Sequence, residues 1–327
     1  MADKVKRTTY KTVQKRMKQA KKSSSKQLIS FLFIIAAAAI TYWYTSNLPE
    51  AETPNYSSDQ STEGFYFYRT VGASDYYFDA NLLVGDALRD ELNQIITSGF
   101  TPLSYADAKT VLEVSDQSLT DSTKVMNVYT GLLVPAVWDS TSWHREHVWP
   151  NSRLGIERVS ESSKNQGSDM HNLRAITPAV NSSRSDRFYA DGSGDADITD
   201  DGGFYPGDDH KGDVARILFY MAVKYDFLIL TNDGLEDESN HYTMAGAKMG
   251  RLSLLLEWHK EDPVDDFERN RNQKIFEAQG NRNPFIDKPE YVHLIWESKT
   301  INDLTEPVET AKHQTFLLSM MIEKRGI

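Results

Sequence analysis

The side chains with the most chemical potential in this chain fall between residues 143 and 187. Glu146 and His147 are neighbours in the run Trp143-His144-Arg145-Glu146-His147-Val148-Trp149-Pro150, and Asn181 follows in Thr177-Pro178-Ala179-Val180-Asn181-Ser182-Ser183-Arg184. A glutamate and an asparagine are hard oxygen donors that suit Mg²⁺ or Ca²⁺, and two protein ligands leave several positions for water and a substrate phosphate. A neutral histidine beside such a cation can take a proton from an attacking water. Singly, each residue has an ordinary structural role. A histidine on a strand is most often a packing residue, an asparagine in a first helical turn most often caps or meets solvent, and Glu146 has Arg145 and Arg153 nearby as ion-pair partners. His144 and His147 raise zinc as an alternative, but residues three apart on a strand face opposite sides, which argues against a shared ion.

For the three to meet, the chain has to run strand, loop, strand, helix. The segment 143–149 alternates and stops at Pro150; the Ser/Gly/Asn-rich loop after it leads to a second strand over 168–174. Thr177 as N-cap and Pro178 at the first helical position then start a helix. That order brings Glu146, His147 and Asn181 within reach of one point.

The surrounding pattern predicts helices over 84–98 and 104–114, a strand over 125–129 and a turn at Gly131. Residues 213–225 carry Val214, Ile217, Leu218, Met221, Ala222 and Tyr225 on one face, the mark of a core helix. Further helices are expected over 245–260, over 263–278 with Pro263 at the first position, and over 290–297. No shift in composition divides residues 64–327, so they read as one helix-rich α+β domain.

Composition narrows the classes. No cysteine occurs among 327 residues, which removes disulfides, thiolate nucleophiles, iron–sulfur clusters and cysteine-bound zinc together. The net charge of -11 hides two electrostatic objects: ten Lys/Arg against Asp3 make residues 1–27 +9, and the other 26 Lys/Arg and 46 Asp/Glu make residues 28–327 about -20. Between them the uncharged run 28–44, ending in Tyr42-Trp43-Tyr44, is long enough at roughly 1.5 Å per residue to cross a bilayer core near its short limit. The expected organisation is a basic cytoplasmic arm at 1–27, a transmembrane segment at 28–45, a polar tether at 46–63 and a catalytic domain at 64–327 outside the cytoplasm, periplasmic or extracellular. A cleaved signal peptide, using Ala36-Ala37-Ala38, is the competing reading and would make the protein secreted.

Four ordered motifs, REHVWP at 145–150, SDMHNLRAITPAVNSSRSD at 168–186, KGDVARILFYMAVKY at 211–225 and EAQGNRNPFIDKPEYVHLIW at 277–296, closely resemble the bacterial endonuclease I family of secreted or periplasmic nucleases. The resemblance covers about residues 64–300 and implies a His-Me finger, a ββα-metal active site. It implies His147 as general base and a divalent ion on Glu146 and Asn181, Mg²⁺ with Ca²⁺ or Mn²⁺ as alternatives. The ion would contact the scissile phosphate and stabilise the leaving 3′ oxygen, so that DNA, RNA or both would be cut without strong sequence preference to 5′-phosphate and 3′-hydroxyl ends.

Two departures from the family pattern bear on the site. Disulfide-bearing members place a phosphate-binding arginine in a cysteine-containing loop between the strands, where this chain has the shorter stretch SSKNQG. Arg174, Arg153 and Arg184 are the candidates in that order, Arg174 because it follows the second strand directly. The family's acidic group near that strand has no counterpart at Gly167 or Ser168, and Asp169 is expected to orient its surroundings without taking part in the chemistry. Residues 191–213 hold eight Asp amid six Gly, but the spacing fails as a calcium loop, so a solvated loop is favoured over a second metal site. Lys211 and Asp213 are expected to start and pack a helix. A non-catalytic, calcium-stabilised surface binding module is the alternative to an enzyme. No protein partner is inferable.

Overall fold

The computed structural model describes residues 56–236 and 242–306, all within one compact unit that begins at Asn55. The expected basic arm at 1–27 and transmembrane segment at 28–45 lie outside the described residues; among those described, no helix is long and apolar enough to cross a membrane. Of the tether expected over 46–63, residues 56–63 are described, and they pack on the domain. There Tyr56 donates to Asp75 at 2.8 Å, and Gln60 donates to the Lys260 carbonyl at 3.0 Å and forms an antiparallel bridge with Tyr66.

In chain order the described elements are α1 (Gly85–Thr97), α2 (Ala108–Ser115), β1 (Lys124–Met126), β2 (Leu133–Pro135), β3 (His144–His147), β4 (Leu173–Ile176), α3 (Pro178–Arg184), β5 (Asp197–Ile198), β6 (Phe204–Tyr205), α4 (Lys211–Lys224), β7 (Ile229–Leu230), β8 (Lys248–Met249), α5 (Leu252–Glu261), α6 (Asp266–Gln279), α7 (Pro284–Asp287) and α8 (Glu290–Trp296), with short 3₁₀ turns between some of them. The strands form four separate two-stranded pairs, antiparallel except for β7–β8. Helices around small hairpins make this the expected α+β class.

The scaffold is organised on α4. Its predicted apolar face is buried, and so is the rest: every residue from Gly212 to Lys224 is buried, with α1 and α5 packed against it. The polar side of the helix enters the interior as ion pairs. Arg216 grips Glu268 of α6 with Nε and Nη2 at 2.6 and 2.7 Å, and Asp213 lies 3.3 Å from Arg174 of β4. Asp116, after α2, closes the network by accepting from Arg174 at 3.1 Å and from Arg271 of α6 at 2.8 Å. Leaving one member of such a buried set without its partner typically costs about 3–5 kcal/mol, so the network ties β4 to α2, α4 and α6 in one arrangement.

Local chemistry sets the ends of α6. It was expected to start with Pro263 at the first position, but it begins at Asp266 because Asp265 and Glu268 form a reciprocal capping box. It ends at Gly280 with φ 85°, where a side-chain Cβ would meet the Gly99 carbonyl oxygen at 2.4 Å. The helix expected over 245–260 is broken: β8 occupies Lys248–Met249, and only Leu252–Glu261 is α-helical.

Candidate active site

β3 and β4 pair antiparallel with His144 opposite Ile176, Glu146 opposite Arg174 and His147 opposite Leu173. A single residue, Thr177, separates β4 from α3. Pro178 opens the helix, while Thr177 is extended and makes no side-chain cap bond. Helix α3 folds back against β3, and the strand–strand–helix unit brings Glu146, His147 and Asn181 to the wall of one cleft of 460 Å³.

Glu146 is buried, and both of its close contacts fall on one oxygen: Tyr129 donates to Oε1 at 2.8 Å and Arg184 Nε lies 3.1 Å from the same atom. Oε2 is left for the cleft. Burial pushes the carboxyl up to about 7, opposed by Arg184 and the Tyr129 hydrogen bond, and a cation at Oε2 would favour the anion further. Asn181 turns its Nδ2 toward His144 Nδ1 at 3.5 Å, which leaves its carbonyl oxygen as the open group. Two hard oxygens on one wall fit a divalent cation that completes its shell with water and phosphate. Among the described residues no group of three or more His, Asp and Glu side chains could hold an ion.

His147 sits at 2.7 Å, through Nε2, from the Gly167 carbonyl oxygen. A carbonyl only accepts, so Nε2 carries the proton and Nδ1 the lone pair. Its ring stacks on Tyr105 with centroids 5.3 Å apart and planes at 21°. Burial pushes the imidazole down to about 4, with Gly167 opposing and Arg145, Arg158 and Arg184 adding to the shift; His147 is neutral at pH 7 and able to accept a proton. Gly167 belongs to a 3₁₀ turn, Gln166–Ser168, capped by Asn165, and a Cβ on it would meet Val159 Cγ1 at 2.4 Å. Where an acidic side chain was sought at Gly167 or Ser168, the backbone carbonyl supplies the acceptor. The approach of this turn to His147, twenty residues before Gly167, has no signal in the spacing of side chains.

The arginines need correction. Arg174, the first choice for a phosphate contact, does not line the cleft: it is 1% exposed, spent on Asp116 and Asp213, and lies over the Phe267 ring at 4.9 Å. Arg153 is buried and donates to the Asp186 carbonyl at 2.8 Å. Arg184 is buried between Glu146 and the Val148 carbonyl, which accepts from Nη2 at 2.9 Å, so it shapes the glutamate. The arginines that do line the cleft are Arg145 and Arg158. Arg145 is held by Glu161 at 2.8 Å and packed 3.6 Å above the Tyr105 ring. Arg158 is exposed, and no hydrogen bond or ion pair reaches its side chain among the described residues. The sequence reading passed over it, although it stands in the loop between the two strands where a phosphate contact was sought.

Asp169 holds its surroundings: it accepts from the Tyr220 and Tyr225 hydroxyls at 2.8 and 2.9 Å and from Gln279 at 3.0 Å. The Asp-rich stretch forms the β5–β6 hairpin, and Asp201 there pairs with Arg251 at 2.9 Å.

A family description, Endonuclease I, matches residues 84–290. The extracellular ribonuclease of Bacillus subtilis (strain 168) is 41% identical over 236 residues, 68% of this chain and 78% of that protein. The extracellular ribonuclease of Bacillus amyloliquefaciens is 39% identical over 233 residues with the same coverage. The chain belongs to the endonuclease I family. The periplasmic deoxyribonuclease of Aeromonas hydrophila is a more distant relative, 26% identical over 156 residues, 44% of this chain and 58% of that protein. As an endonuclease I family member the protein is a hydrolase of endonuclease type, which sets aside the non-catalytic binding module. The matched region runs from the start of α1 to the start of α8 and includes the whole Glu146–His147–Asn181 cleft.

Proposed function

We propose that this protein is a metal-dependent nuclease that hydrolyses phosphodiester bonds of RNA, DNA or both to 5′-phosphate and 3′-hydroxyl ends, without strong sequence preference. The observation that carries the proposal is the shared cleft: Glu146 and Asn181, each with an oxygen that accepts no hydrogen bond among the described residues, line it together with His147, whose Nδ1 is the free ring nitrogen. Glu146 and Asn181 would hold the ion, Mg²⁺ first, with Ca²⁺ or Mn²⁺ as alternatives. When bound, such an ion supplies Lewis-acid polarisation of the phosphoryl group and neutralises charge at the leaving oxygen. His147 takes the proton of the attacking water at Nδ1 while Gly167 keeps the ring in that tautomer. Arg158 replaces Arg174 as the phosphate contact. The names of the Bacillus and Aeromonas relatives support both the nucleic-acid substrate and a site of action outside the cytoplasm. The charge asymmetry about residues 28–45 supports anchoring there.

The deciding experiment is digestion of matched RNA and DNA by the purified full chain in detergent, with Mg²⁺ and with EDTA. Cleavage abolished by EDTA and restored by Mg²⁺, leaving ends that a 5′-phosphate-dependent ligase accepts, is expected. Cleavage indifferent to EDTA would overturn the metal-dependent reading.

A further inference from the structure

One aromatic on the cleft wall has no part in the chemistry of Glu146, His147 and Asn181. Tyr242 lines the same cleft and is 46% exposed, and no hydrogen bond, ion pair or ring contact reaches its side chain among the described residues. Its place is set by the backbone. Its φ is 60°, the left-handed region that a bulky residue rarely adopts, and its N–H donates to the Ser152 carbonyl at 2.6 Å, which ties it to the turn after β3. Two residues on, Met244 closes against the same turn: a Cβ on Gly155 would meet Met244 Sδ at 3.1 Å. The segment is thus fastened to the finger beside an aromatic ring that stays nearly half exposed.

The other aromatic of the cleft is different. Tyr105 has the His147 ring on one side and the Arg145 guanidinium 3.6 Å from its centroid, so its faces are taken. Charge gives little further grip. Residues 28–327 carry about -20 by formal count, and Arg145 is already paired with Glu161, which leaves Arg158 as the exposed arginine of the cleft. Sequence-tolerant binding of a polyanion with so few cations needs a second source of affinity. Stacking of bases on an open aromatic ring is one that requires no charge and accepts every base.

We infer that Tyr242 is a stacking platform for the base beside the scissile phosphate, with Arg158 contacting the phosphate backbone next to it. A base can lie on Tyr242 only after leaving its neighbours, so the favoured substrate class is single-stranded or locally unpaired nucleic acid. The inference rests on the phosphodiesterase reading of this cleft.

The test compares the full-length wild type, Tyr242→Ala and Tyr242→Trp with Mg²⁺ on a single-stranded oligonucleotide, on its duplex, and on a strand of equal length built from tetrahydrofuran abasic analogues. Circular dichroism melting checks that all three proteins fold alike. Tyr242→Ala should raise KM on the single strand by roughly tenfold or more with kcat nearly unchanged, and Tyr242→Trp should restore it. On the duplex and the abasic strand, Tyr242→Ala and wild type should have equal KM. Equal KM on the single strand, or the same loss on the abasic strand or the duplex, would overturn the stacking role. Failure of wild type to cut any of the three would instead overturn the nuclease reading.

Discussion

His147 donates its Nε2–H to the carbonyl oxygen of Gly167 at 2.7 Å. Twenty residues apart in sequence, the two fix which nitrogen of the ring is basic. A backbone carbonyl cannot be removed by substitution, but it can be displaced, because Gly167 has Val159 Cγ1 where a Cβ would stand, at 2.4 Å. Gly167→Ala should therefore lower kcat by about 10- to 100-fold, the usual scale for a misplacement near 1 Å, with a smaller change in KM. Adding Val159→Ala should recover most of the loss. His147→Ala should cost roughly 10²–10⁴ in kcat whatever stands at Gly167. Full activity of Gly167→Ala would show that the carbonyl does not orient the base.

The paired oxygens predict a shared dependence. Glu146→Ala and Asn181→Ala should each raise the Mg²⁺ concentration needed for half-maximal activity, and the double variant should be no worse than the poorer single one, because both act through one ion. The assay is a Mg²⁺ titration of initial rates. Multiplicative losses in the double variant would place the two residues in separate roles.

Arg174 and Arg158 should separate stability from binding. Arg174→Ala leaves Asp116 with Arg271 alone and takes from Asp213 its nearest arginine, with Arg216 remaining at 3.7 Å; it should destabilise by about 3 kcal/mol, read as a lower urea midpoint, with the remaining folded protein as active as wild type. Arg158→Ala should leave the midpoint in place and raise KM. The reverse pattern would restore Arg174 to the phosphate.

Few exposed cations at the cleft mean few phosphates neutralised. For duplex DNA bound by the inactive His147→Ala protein at fixed divalent ion, log K against log salt should fall with a slope of roughly -2 to -4, at about -0.9 per phosphate. A slope near -8 would reveal a basic face elsewhere.

The charge step across residues 1–45 predicts topology. A reporter fused after Ile327 should be active only outside the cytoplasm, and the protein should fractionate with membranes. A soluble form beginning near Ala39 or Ile40 would identify the segment as a cleaved signal and leave the enzymology untouched.

Much of the site was legible because it is local. Glu146 and His147 are adjacent on one strand, Pro150 stops that strand, and Pro178 opens the helix that carries Asn181, so periodicity and proline placement over short spans were enough to put the three on one cleft. The apolar face of α4 was legible for the same reason, and the electrostatic division at residue 27 follows from counting charges. What the tertiary structure decided depends on partners distant in sequence. Arg174 reads as an available cation until Asp116, 58 residues before it, and Asp213, 39 after it, close on the guanidinium. Arg158 stays open to solvent. The tautomer of His147 needed the Gly167 carbonyl, and the place of Tyr242 at the cleft needed the Ser152 carbonyl, backbone acceptors that no side-chain pattern announces. Spacing along a chain reports which face a residue occupies; whether its charge or ring is already spent is settled only when distant elements pack.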